Sequence, residues 1–145
     1  MTVSQISVFI ENSAGRLAEV TEIIAASGIN LWAMSIADRA DFGVLRLIAD
    51  QPDRALEVLK GKGCIVSVTQ VITAQLDDRP GSLAKMLRIL SDESISVEYL
   101  YAFAVYDEDA GKAYVVCKVD DDEKATKVLK EKGVAIANIQ TIGRH

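Results

Sequence analysis

One sequence feature, a strand that breaks at a glycine and turns directly into a helix, occurs twice in this chain of 145 residues. The first copy is Glu-Asn-Ser-Ala-Gly-Arg-Leu at 11–17, and the second is Asp-Asp-Arg-Pro-Gly-Ser-Leu at 77–83. In both copies apolar residues alternate before the glycine, as in a strand, and recur with helical spacing after it. Two copies of one joint, 66 residues apart, predict two small domains of the same kind.

The rest of the chain continues this repeat. In the first half, apolar periodicity and turn residues predict the elements in the order strand 5–11, helix 14–27, strand 29–37, strand 43–49, a second helix and strand 64–69. Asp50 is predicted to cap the second helix, whose first turn holds Pro52 and Asp53. The predicted domains are 1–70 and 71–145. Because residues 64–75 are nearly continuous strand-forming sequence, the last strand of the first domain should run directly into the second domain.

A βαββαβ order with right-handed crossovers gives an antiparallel sheet with both helices on one face. The predicted fold class is therefore α+β, with two ferredoxin-like βαββαβ units side by side. Residues 97–104 carry apolar side chains on both faces of their predicted strand. Since a sheet face that contacts solvent carries mainly polar side chains, we expect the face of the sheet opposite the helices to be covered, most simply by another copy of the chain in a homodimer.

Composition excludes several function classes. Half of the residues are hydrophobic, yet no apolar run approaches the ~20 residues of a membrane span, and the N-terminus shows no signal pattern. We therefore expect a cytoplasmic protein with no membrane partner. A net charge of −5 argues against nucleic acid as a partner. Cys64 and Cys117, without a metal-binding or redox spacing, are predicted to be small buried hydrophobes.

No arrangement of residues predicts catalysis. The single histidine is the last residue, His145, and no serine, cysteine or lysine has an activating partner at motif spacing. The acidic run 120–123 is interpreted as a helix start and 107–109 as a solvated turn. We therefore expect no enzyme activity, no cofactor and no metal.

Together these residues resemble the ACT domain family, small βαββαβ modules that bind amino acids and regulate metabolic enzymes. The resemblance is carried by the strand–loop–helix segments 6–17 and 72–83 and by the helix-to-strand joints 27–31 and 93–97. It implies a non-catalytic regulatory protein that senses a small amino acid at the interface between its two units. It also implies a metabolic enzyme as a possible partner.

The resemblance further implies the ligand-binding residues. In serine-binding members of the family, an Asn and a Gly of the strand-to-helix loop contact the ligand, together with an Asn at the start of strand two of the neighbouring unit. By motif position, the predicted ligand-binding residues are Asn12, Ala14, Gly15, Leu17, Asn30, Asp78, Pro80, Gly81, Leu83 and Ser96. Because an Asn amide both donates and accepts, whereas ionised Asp78 only accepts, the pocket with Asn12 and Ser96 is favoured over the one with Asp78 and Asn30.

Three other function classes share this topology. An RRM-like nucleic-acid-binding module needs paired aromatics on its third strand, but 43–49 has none and 112–119 offers only Tyr114. A small ferredoxin-like enzyme needs an acid–base pair that the sequence does not show. A heavy-metal carrier needs cysteines in the first loop, where Ser13 and Arg79 stand instead.

Overall fold

The computed structural model describes residues 2–11, 13–38, 41–103 and 111–137. The elements are β1 Val3–Glu11, α1 Arg16–Ala26, β2 Leu31–Asp38, β3 Phe42–Ala49, α2 Pro52–Gly61, β4 Ile65–Asp77, α3 Ser82–Asp92, β5 Val97–Phe103, β6 Lys112–Val119, α4 Asp122–Glu131 and β7 Ala135–Ile136. The chain forms two compact units: a first unit of Ser4–Thr69, and a second unit of Gln70–His145 together with Met1–Val3.

The first unit has the strand order β2-β3-β1-β4, with β3 antiparallel to both of its neighbours. Its two helices share one apolar core with the sheet, so both lie on the same face. The residues that build this core alternate along the strands and recur with helical spacing along the helices; they include Ile6, Val8, Ile10, Val20, Ile24, Leu45, Leu47, Ala55 and Leu59. This is the predicted ferredoxin-like arrangement.

The second unit repeats the first, with β6 between β5 and β4 and with β7 on the other side of β4. Its core occupies equivalent positions, including Ile72, Ala74, Met86, Leu90, Val115, Cys117, Ala125 and Leu129. Even an irregularity is repeated, because the pairing register shifts between Leu31 and Ala33 in one unit and between Val97 and Tyr99 in the other. The α+β fold class of two βαββαβ units is confirmed.

Strand β4 is a single strand of 13 residues. It contains no glycine or proline and is rich in β-branched residues, which favour an extended backbone. The predicted continuity between the two halves of the chain is therefore confirmed. Seven strands rather than eight are found in the described part of the chain, since β4 serves as the last strand of one repeat and the first of the next.

Two local predictions were wrong. Asp50 does not cap α2, whose N-cap is Gln51 and has no side-chain hydrogen bond; Asp50 instead accepts a hydrogen bond from the backbone N–H of Asn30 at 3.1 Å. A true side-chain cap occurs on α4, where Asp121 accepts from the N–H of Lys124 at 3.1 Å. The third strand also begins one residue early, at Phe42, so it does carry an aromatic side chain.

Several sequence predictions fall outside the described residues. These concern Asn12, the end of the predicted strand at residue 104, the turn at 107–109, and His145. Within the described ranges, no helix is both long and apolar enough to cross a membrane.

Candidate functional site

The first strand-to-helix loop turns on a glycine with a left-handed backbone. Gly15 is the N-cap of α1 and has φ of 85°. The turn is closed by hydrogen bonds from Ser13 N–H to the carbonyl of Glu11 at 2.8 Å and from Arg16 N–H to the carbonyl of Ser13 at 3.3 Å. A Cβ at Gly15 would meet no atom within 4 Å. The left-handed backbone thus favours glycine here, and the space beside it is open.

The second loop has the same geometry. Gly81 is the N-cap of α3 with φ of 92°, and the space beside it is open as well. Arg79 N–H donates to the carbonyl of Asp77 at 2.9 Å, and Ser82 N–H donates to the carbonyl of Arg79 at 3.3 Å. The two loops are therefore equivalent in backbone as well as in sequence position.

The N-cap residues of both helices, Gly15 and Gly81, provide no side-chain cap. The backbone N–H groups of Leu17, Ala18, Leu83 and Ala84 have no acceptor in the part of the chain that the structure describes. Unpaired N–H groups and the positive end of the helix dipole suit a carboxylate or a phosphate. Helix α2 also lacks a side-chain cap, so the distinguishing feature of α1 and α3 is the open glycine in front of the N–H groups.

The strand-two residues of the predicted site are held by a repeated main-chain contact. Asn30 N–H donates to Asp50 Oδ1 at 3.1 Å, and Asp50 N–H donates back to the carbonyl of Asn30 at 3.0 Å. In the second unit Ser96 and Asp120 make the same pair of bonds, both at 3.1 Å. The side chains of Asn30 and Ser96 are exposed and make no hydrogen bond within the described residues. They are available to a ligand.

The remaining predicted residues lie on the surface. Side chains of the two loops and of the first helical turns are exposed at Ala14, Leu17, Asp78, Pro80 and Leu83. Leu17 and Leu83 have relative exposures of 37% and 39%, which is high for leucine. Gly15 and Asn30 lie at opposite ends of α1, whose 11 residues span ~16 Å. One unit therefore does not bring its own loop glycine and strand-two residue to a single small ligand.

The second unit has a groove that the sequence interpretation missed. Its volume is about 210 Å³. It lies between the end of β4, the first turns of α3, the start of β6 and the segment that joins α4 to β7, and its polar lining includes Asp77, Arg79, Ser82, Lys85 and Lys112. None of the loop residues predicted by resemblance lines it. One signal was present in the sequence, since Arg79, Lys85 and Lys112 stand where the first repeat has Ser13, Glu19 and Phe42.

Basic side chains control the electrostatics of this groove. Lys112 Nζ donates to Asp77 Oδ1, and Arg79 lies 3.5 Å from the same carboxylate. The hydrogen bond from Lys112, and then its positive charge, hold the pKa of Asp77 below its ordinary value, with smaller contributions from Arg79 and Lys85. The groove therefore keeps one ionised carboxylate among three cations.

The two cysteines are buried, as predicted, and form no disulfide. Burial raises the pKa of the Cys117 thiol to about 11, with a smaller contribution from the charge of Asp122. A buried thiol that stays protonated at neutral pH is a packing residue rather than a nucleophile. No group of three or more residues with metal-ligand side chains is found among residues 2–11, 13–38, 41–103 and 111–137.

The fold and its paired loops define a duplicated ferredoxin-like module. A family profile described as an ACT domain pair matches residues 1–142. This chain therefore belongs to the ACT domain family, as a pair of ACT domains. The resemblance inferred from the two loops is confirmed.

Solved structures include similar chains. Protein BT0572 from Bacteroides thetaiotaomicron is 41% identical over 100% of this chain and 98% of that chain, with a TM-score of 0.91. The ligand-free regulatory subunit of aspartate kinase from Thermus thermophilus is 17% identical over 90% and 92% of the two chains, with a TM-score of 0.66. The corresponding subunit from Thermus flavus is 17% identical over 88% of each chain, with a TM-score of 0.63. At 17% identity the likeness shows the fold alone. No curated protein matches the sequence significantly.

Proposed function

We propose that this protein is a non-catalytic regulatory module that binds a small amino acid and thereby modulates a metabolic enzyme. Membership of the ACT domain family over residues 1–142 carries this proposal. The likeness in fold to regulatory subunits of aspartate kinase is compatible with it. The buried cysteines, which are free thiols, agree with a reducing compartment, and we propose a cytoplasmic location on that ground.

We place the amino acid at the loop that precedes α1. The open space beside Gly15 admits the main chain of a ligand. The N–H groups of Leu17 and Ala18 have no acceptor among the described residues and suit its α-carboxylate. The exposed Leu17 side chain offers an apolar contact for the ligand's side chain. The N–H groups of this loop therefore suit the anionic end of a zwitterion.

The α-ammonium group needs an acceptor, because an unpaired charge removed from water is costly. Asn30 lies at the far end of α1 and is too far from the Gly15 loop to accept a hydrogen bond from this ammonium group. Another residue must therefore be the acceptor. The resemblance implies Ser96 in this role, together with Asn12, and both assignments stay predictions. Asp78 stands at the position of Asn12 in the other loop. Its carboxylate repels the carboxylate end of a ligand, so the Gly15 loop is the better candidate.

Equilibrium dialysis against an equimolar mixture of the twenty amino acids tests this proposal. We expect the wild-type protein to retain one or a few of them. Gly15→Asn should weaken that binding by about tenfold or more, because the new side chain occupies the space of the ligand's main chain. Asparagine is the right replacement, since it tolerates the left-handed backbone that a valine would strain.

Gly28→Asn is the matched control. Gly28 has φ of 72° and open space around it, as Gly15 does, but it lies beyond the other end of α1. Its replacement carries a similar backbone cost without touching the loop, so binding should persist. Equal losses in the two variants would contradict the placement at Gly15. Retention of no amino acid by the wild type would contradict the proposed function itself.

A further inference from the structure

The groove of the second unit (lined by Asp77, Arg79, Ser82, Lys85 and Lys112) is built from three separate parts of the chain. Arg79 comes from the loop before α3, Lys85 from the second turn of α3, and Lys112 from the first residue of β6. Ser82 and Lys85 lie three residues apart on one face of α3, so both face the groove. Leu83 points to a different face of the helix and does not line it. The groove is therefore separate from the family-type position beside Gly81 and Leu83.

Charges in the groove do not cancel. Lys112 and Arg79 both approach the single carboxylate of Asp77, while Lys85 forms no ion pair with any described residue. Among the described residues that line the groove, three cations and one anion leave an excess of two positive charges in a volume of about 210 Å³. The protein as a whole has a net charge of −5, so this local excess runs against the overall charge.

The first unit shows that the fold does not require these charges. Glu11 pairs with Phe42 across β1 and β3 at the register position where Asp77 pairs with Lys112 across β4 and β6. At the other two positions the first unit has Ser13 and Glu19 in place of Arg79 and Lys85. Its own loop cation, Arg16, is neutralised by Glu19 at 3.0 Å. The same backbone thus occurs with and without the cationic groove.

We propose that this groove binds a small dianion, either a dicarboxylate or a phosphate. Two uncompensated positive charges complement two negative ones. Arginine and lysine together with a hydroxyl at Ser82 are the donors that such groups take in proteins. The volume equals that of roughly seven water molecules, which is enough for a phosphate or a four-carbon dicarboxylate. This site is independent of the amino-acid site proposed at Gly15.

Titration of the ¹⁵N-labelled full chain, followed by two-dimensional NMR, tests the proposal with three probes: inorganic phosphate, succinate and acetate. We expect saturable shifts at Ser82, Lys85 and Gly133 with phosphate or succinate, and weaker binding of acetate by about threefold or more because it carries one charge. The stronger of the two dianions identifies the class of the natural ligand. Saturation by none of the three at millimolar concentration, or equal binding of all three, would overturn the proposal.

A charge-matched pair of variants tests the groove itself. Lys85→Gln and Arg88→Gln each remove one positive charge from α3. Arg88, however, does not line the groove and lies 4.0 Å from Asp92 on the solvent side. We expect Lys85→Gln to weaken dianion binding by about threefold or more, and Arg88→Gln by less than twofold. If both variants lost the same affinity, the shifts would reflect net charge alone and the groove would not be a site. Amino-acid binding at the Gly15 loop should survive Lys85→Gln, so the two proposals can fail separately.

Discussion

At the scale of single residues, the two loop glycines combine a requirement of folding with an opportunity for binding. Gly15 and Gly81 have φ of 85° and 92°, a conformation that side chains with a Cβ rarely adopt. The sequence alone suggests that these glycines admit a ligand or permit a turn, and it does not separate the two roles. The structure shows that the turn favours glycine, while the open space around it leaves the binding role in place.

Because the thiol of Cys117 is buried, the stability of the folded protein should decrease at alkaline pH. The pKa of Cys117 is raised from 9.0 to about 11 in the folded protein, so the thiol ionises first in the unfolded chain. The contribution of this thiol to the free energy of unfolding should therefore be fully present below pH 9. It should decrease as the pH rises towards 11, by ~2 kcal/mol at the upper end. The measurement is the free energy of unfolding in urea at pH 8 and at pH 10.5.

Cys117→Ala provides the reference, because it keeps every other group that titrates in this range. The difference in unfolding free energy between wild type and variant should shrink by about 2 kcal/mol between the two pH values. A difference that stays constant would show that the thiol is not the titrating group.

At the scale of elements, the ends of α1 and α3 offer a natural comparison. After α1 the chain turns through Gly28 with φ of 72°, and after α3 it turns through Ser94 with φ of 58°. Both residues donate their N–H to the carbonyl three residues earlier, at 3.0 Å. Glycine is preferred at this left-handed position, so Ser94 carries a backbone cost that Gly28 avoids.

Exchanging the two residues measures that cost. We expect Ser94→Gly to stabilise the protein by ~0.5–1 kcal/mol and Gly28→Ser to destabilise it by a similar amount, since each change alters one left-handed residue. Urea denaturation of the two variants and of the double variant checks this, with the double variant close to wild type. A destabilising Ser94→Gly would mean that the serine side chain contributes more than its backbone costs.

The elements that could be predicted from sequence are those set by local patterns. The continuity of β4 follows from a run without glycine or proline, and both repeats follow from periodicity around Gly15 and Gly81. The exact start of each helix could not be predicted. Asp50 lies two positions before the first residue of α2, whereas Asp121 lies one position before the first residue of α4, and only Asp121 caps its helix. The cationic groove was missed because its charges are distant in sequence and meet only through pairing of β4 with β6.

At the scale of the whole molecule, partly exposed apolar side chains favour self-association. In the described part of its unit, β2 pairs with β3 alone. Met34 and Ile36 on this strand have relative exposures of 45% and 53%. None of the apolar residues of β5 is fully buried either. An edge strand with exposed apolar side chains is prone to pair with another chain.

We therefore expect a homodimer. Size-exclusion chromatography with light scattering at micromolar concentration should give about twice the 15.7 kDa of one chain. Ile36→Lys should shift the mass towards that of the monomer, because a charge would have to be buried in the interface. A wild-type mass of one chain at that concentration would contradict this expectation.

The central claim, that this pair of ACT domains is an amino-acid sensor, is tested most directly by thermal unfolding of the wild-type chain with each of the twenty amino acids in turn. A ligand at one hundred times its Kd adds about 2.7 kcal/mol of stability, which corresponds to a rise in Tm of roughly 5–10 °C for a chain of this length. We predict such a rise with one or a few amino acids, reduced in Gly15→Asn and kept in Gly28→Asn. If none of the twenty at millimolar concentration raised Tm, the account of this protein as an amino-acid sensor would be contradicted.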